Sequence, residues 1–92
     1  MDQEEFVVLK IEQLRAARSL LGWSQSELAL RAGLSLPTVK RVEAGVGPRV
    51  SDEARAKLRR ALELGGVHFI DENGGGPGVR LRKSQRQKAP KA

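Results

Sequence analysis

The chain has 92 residues, 17 of them basic and 11 acidic, for a formal net charge of +6, and it contains no cysteine. That length holds one small domain with appendages, and the missing cysteines exclude a disulfide framework or a thiolate metal site and fit a reducing, cytoplasmic setting. No apolar run approaches the roughly 20 residues that span a bilayer, and the acidic stretch Met1–Glu5 lacks the basic-then-apolar pattern of a secretory signal.

The first element is a helix ending near Leu21, with Ile11, Leu14, Ala17 and Leu21 at helical spacing. Two beginnings fit the residues. Asp2 with Glu5 can cap a long helix from about Gln3, or Phe6-Val7-Val8-Leu9 can form a short strand. The long helix is preferred, because Val7 continues the face of Ile11, Leu14 and Leu21. Gly22 ends it, and Trp23 packs across the junction. Ser24 caps a second helix, Gln25 to Ala32, and Glu27 three residues later completes a capping box. Leu28, Ala29 and Ala32 line its inner face. Gly33 stands where a left-handed residue must close that helix, and Leu34 plugs the corner.

Ser35 caps a third helix, Leu36 to Ala44, with Val39 and Val42 inward and Pro37 tolerated in the first turn. Gly45 to Val50 is a loop. Ser51 caps a fourth helix, with Asp52 and Glu53 at its positive end and Ala54, Leu58, Ala61 and Leu62 inward, stopping at Gly65-Gly66. Val67 to Ile70 and Gly78 to Arg82 read as strands around a long glycine-rich turn. A lone two-stranded hairpin is marginal in water, so it must lean on the helices or pair with another copy. The expected fold is mainly α: a four- to five-helix domain over residues 1–65, a β-hairpin over 66–83 and a disordered basic tail over 84–92.

Two short helices crossing steeply through a glycine-containing turn form a helix-turn-helix. The pattern Gln25, Leu28-Ala29, Gly33, Val39, Val42-Glu43 and Gly45 resembles the lambda-repressor-like, XRE-type family of transcriptional regulators. Leu14 to Ser24 and Arg49 to Glu63 match its flanking helices, and Gly66 to Lys83 is similar to the C-terminal extension of a compact bacterial subfamily. The resemblance implies a homodimeric, sequence-specific DNA-binding regulator, acting as a repressor on double-stranded DNA. Ser24 and Gln25 would meet a phosphate at the start of the second helix. The third helix would enter the major groove with Leu36, Pro37, Thr38, Lys40 and Arg41 as base-reading residues. Arg18 and Glu43 would form a salt bridge that turns Arg18 toward a phosphate, and Arg49 would touch another.

This sequence departs from well-known phage repressors at Leu36 and Pro37, positions that often carry glutamine. These two offer only apolar contact, for example to a thymine methyl, so hydrogen-bonded readout falls to Thr38, Lys40 and above all Arg41, whose guanidinium can bond guanine O6 and N7 together.

Charge is uneven. Arg80 to Ala92 carries six basic residues and no acid, while Ser24 to Arg60 carries eight basic against four acidic. A basic surface supplies salt-dependent attraction to phosphates, and a solubilising tail is an equal reading. Arg55, Lys57, Arg59 and Arg60 read as a solvated helix face. Two rival functions also fit the residues. One is an antitoxin-type interaction module whose hairpin holds a protein partner and whose DNA binding is autoregulatory. The other is a general nucleic-acid binder driven by the tail. Enzymatic chemistry finds no footing: Gly74 to Gly78 lacks the lysine and helix of a P-loop, His68 is the single histidine, and Asp71-Glu72 has no partner base. No cofactor, metal or membrane is implied.

Overall fold

The computed structural model describes residues 10–45 and 51–83. Helices α1 (Ile11–Leu21), α2 (Gln25–Ala32), α3 (Leu36–Ala44) and α4 (Asp52–Gly65) precede strands β1 (Val67–Ile70) and β2 (Gly78–Leu81). The expected mainly helical fold with a C-terminal hairpin is therefore the observed one. Three serines start three of the helices: Ser24, Ser35 and Ser51 Oγ accept the N–H of Glu27, Thr38 and Ala54 at 2.9, 3.3 and 3.1 Å. Gly33 closes α2 with φ +72°, a conformation that costs a residue with a Cβ, and the Leu34 N–H then returns to Ala29 O at 3.0 Å.

The core lies where the four helices and the hairpin meet. Leu14, Leu28, Leu58, Leu62, Val39 and Val67 are fully buried, each worth about 1.5–3 kcal/mol of transfer free energy. Phe69 and the alanines Ala17, Ala29, Ala32, Ala54 and Ala61 fill the remaining buried apolar positions, and small side chains let the helix backbones approach closely. At the end of α4 the approach is closer still. A Cβ on Gly65 would stand 2.6 Å from the Trp23 ring and 3.0 Å from Leu21. Trp23 thus packs across the junction as expected, and Arg31 covers its ring at 4.5 Å.

The hairpin is antiparallel, with Val67 opposite Leu81, His68 opposite Arg80, Phe69 opposite Val79 and Ile70 opposite Gly78. Alternation turns Val67 and Phe69 into the core, so the hairpin leans on its own helical domain. One buried polar residue fastens it. Gln13, on α1, donates from Nε2 to the carbonyls of Gly78 at 3.1 Å and Ile70 at 3.4 Å.

Three sequence expectations need correction. The preferred single helix from Gln3 does not occur, because Lys10 is extended (φ −80°, ψ 147°) and α1 begins at Ile11. Gln13 provides the reason: its Oε1 accepts the Lys10 N–H at 3.3 Å, which caps the helix there while its amide holds the hairpin. The alternative strand, Phe6 to Leu9, lies outside the described residues. Glu27 does not complete a capping box, since its carboxylate takes Arg31 Nε at 2.6 Å instead. Finally, β2 ends at Leu81 rather than Arg82, although the Arg82 N–H still reaches Gly66 O at 2.7 Å.

Candidate nucleic-acid interface

The candidate interface combines the N-terminus of α2 with the outer face of α3. At the start of α2 the first N–H groups lack intrahelical partners by construction. Ser24 Oγ satisfies Glu27, and Leu28 bonds back to Ser24 O at 3.0 Å, which leaves the Gln25 and Ser26 N–H groups without a partner among the described residues. A short positive helix end with two free amides favours an anion.

On α3, Pro37, Lys40, Arg41 and Ala44 are exposed. Their spacing of three and four residues makes them one stripe, opposite the buried Val39 and Glu43. Lys40 and Arg41 form no ion pair among the described residues, so both cations are available to a ligand. The other two predicted base-reading residues sit at the margins of that stripe. Leu36 is half-buried and packs against the core. Thr38 shares a hydroxyl–hydroxyl hydrogen bond of 2.8 Å with Ser35, which ties it to the cap.

Behind these surfaces lies a polar knot. Arg18 grips the Glu43 carboxylate with two bonds, Nε to Oε2 at 2.6 Å and Nη2 to Oε1 at 2.8 Å. Its Nη1 donates to Trp23 O at 2.9 Å, one residue before Ser24. Gln25 Nε2 adds a third bond to Glu43 Oε1 at 3.0 Å, and Arg15 Nη1 reaches the Glu43 carbonyl at 3.2 Å. Glu43 therefore fastens α1, the start of α2 and the end of α3 together. Burial would push its carboxyl above the usual value, but hydrogen bonds from Arg18 and Gln25 and the charges of Arg18 and Arg15 outweigh that and hold it below. The hydrogen bond to Glu43 correspondingly raises the Arg18 pKa against the effect of burial.

The predicted residues Arg18, Ser24, Gln25 and Glu43 thus come together, and the five α3 residues share one helix. Arg49 lies outside the described residues. Sequence reasoning missed Gln25's bond to Glu43, which orients the side chain expected to meet a phosphate, and it missed Arg15. It also took Arg59 for a solvated charge, whereas Arg59 stacks on Phe69 at 4.9 Å and pairs with Glu63 at 3.0 Å. An aromatic two residues into a strand gives no warning in one dimension that a helical arginine will cover it.

The helix-turn-helix family profile matches residues 14–65, the segment that holds most of α1, all of α2 to α4 and both halves of this surface. The chain belongs to the helix-turn-helix family, of the XRE, lambda-repressor-like type. No curated protein sequence matches it. The helix-turn-helix match makes α2 and α3 the DNA-binding pair of a regulatory family. Among the described residues of this helix-turn-helix protein, no helix is long and apolar enough to cross a membrane.

Proposed function

We propose that the protein is a sequence-specific transcriptional regulator that binds operator DNA as a homodimer and represses by occluding polymerase. The exposed stripe of α3, with Lys40 and Arg41 in no ion pair among the described residues, carries this reading. Set in the major groove, Arg41 is the residue able to make a bidentate bond to guanine, and Pro37 offers apolar contact to a thymine methyl. The Gln25 and Ser26 amides at the start of α2 meet a backbone phosphate, which fixes the register of α3. Arg18 lends its remaining N–H groups and its charge to the same phosphate. Two such units on a palindrome set their α3 helices about 34 Å apart, one turn of duplex. The operation belongs to the cytoplasm, where the DNA is.

Selection of binding sites from random duplex DNA at near-physiological salt tests this. A palindromic consensus is the expected outcome. Binding without enrichment that collapses as salt rises would replace the regulator with a general, charge-driven binder.

A further inference from the structure

Arg82 N–H donates to Gly66 O at 2.7 Å, and hydrogen-bonded pairs alternate along an antiparallel ladder. Arg80 and Gly78 therefore share their backbone bonds with β1, whereas the N–H and C=O groups of Val79 and Leu81 point to the far edge of β2. No helix or loop among the described residues hydrogen-bonds to those groups. The two edges of the hairpin differ in this respect. Val67 and Phe69, which bear the far edge of β1, are 0% and 3% exposed, while Leu81 is 49% exposed. An open edge of this kind is a template for another strand.

We infer that this edge is the homodimer interface: β2 of one copy pairs antiparallel with β2 of a second about a two-fold axis at Val79. The inference rests on the dimeric reading above and specifies its contact surface. Charge selects both the occupant and the register. The turn end of the hairpin is acidic, with Asp71 and Glu72, and the other end is basic, with Arg80, Arg82 and Lys83. An antiparallel pair lays each acidic turn beside the partner's basic end. A two-fold at Arg80 would set two arginines face to face, and one at Leu81 would set Arg80 opposite the second copy's Arg82, both like-charge contacts. The two-fold at Val79 instead sets Arg80 opposite Gly78 of the second copy, so that no like charge faces it and the acidic turn with Asp71 is the nearest charged segment of that copy. Arg82 then lies opposite Gly76, the N–H of which is held by Glu72 at 3.2 Å. In this register the paired Val79 residues exchange two hydrogen bonds, and each Leu81 N–H donates to a Pro77 carbonyl.

Sedimentation equilibrium of the full chain without DNA is the test. A concentration-dependent dimer is expected. Asp71→Arg or Arg80→Glu should each weaken it about tenfold, because a two-fold axis counts every altered pair twice, and the double exchange should restore it. Leu81→Pro should abolish the dimer with an unchanged circular dichroism spectrum, since that N–H takes no part in the β1 ladder. A chain that stays monomeric at about 100 µM, or a dimer indifferent to these substitutions, would overturn the assignment. So would a dimer that forms only once residues 1–9 are removed, because the Phe6 to Leu9 segment would then be what holds the edge. The DNA selection is read separately: a palindrome bound by a chain that is monomeric in solution sinks this interface and leaves the regulator standing.

Discussion

Glu43→Gln is the substitution that most directly examines the polar knot behind the DNA-facing surface. The carboxylate accepts three N–H bonds, two from Arg18 and one from Gln25. A glutamine oxygen can occupy the Oε1 site and keep two of them, but its NH2 group then faces Arg18 Nε across a gap that was 2.6 Å, donor against donor. Removing one partner of a buried ion pair costs about 3–5 kcal/mol. The Glu43 side chain is 4% exposed and fits that description, whereas Arg18 is 22% exposed and rehydrates in part. The expected loss is therefore about 2–3 kcal/mol near neutral pH, or a fall in Tm of about 15 °C for a domain of this size. The folded-state pKa of Glu43 is depressed below its ordinary 4.5, so its contribution is complete above that value and is lost as pH falls through the lower, folded one. Wild type and variant should thus differ most near neutrality and converge in acid. Urea denaturation across that pH range measures it, and a cycle with Arg18→Met should show coupling of at least about 1 kcal/mol. A loss below about 0.5 kcal/mol, or a difference that does not shrink on acidification, would refute the argument.

Gln13→Ala removes both amide bonds that hold the hairpin and uncaps α1; we expect a loss of about 1–2 kcal/mol, with amide exchange accelerated most at Ile70 and Gly78. Gly65→Ala drives a methyl to 2.6 Å from Trp23 and should cost about 1–3 kcal/mol. Because Trp23 is the single tryptophan, a shift in its fluorescence reports the displacement directly, and an unshifted spectrum would contradict the packing. Arg41→Ala should relax base preference at one position per half-site at a cost of about 1–3 kcal/mol, read from binding to a panel of single-base variants. Unchanged selectivity would remove Arg41 from the readout.

Much of the fold was legible because its punctuation is local. A serine hydroxyl that caps a helix, or a glycine that closes one, acts on backbone groups within three or four residues, and α2, α3 and α4 fall where Ser24, Gly33, Ser35, Ser51 and Gly66 put them. The inward faces followed from the helical period alone. Position-by-position likeness to a family also located the Arg18–Glu43 pair, which spans 25 residues.

What the tertiary structure decided is where polar side chains spend their hydrogen bonds. Whether Gln13 caps a helix or continues one, and whether Glu27 bonds to Ser24 or Arg31, depends on competing partners whose distances no linear pattern encodes. Gln13 is the clearest instance, because the carbonyls that bury and orient it lie 57 and 65 residues away. The β2 edge that no described residue hydrogen-bonds has the same origin: strand alternation predicts which side chains turn inward, but only the packing of the helices decides that Val67 and Phe69 are buried while Leu81 is exposed. Caps, turns and periodicity are properties of neighbours along the chain, and the sequence determines them by itself. Partner choice among long polar side chains is a contest across space, which only the assembled core resolves.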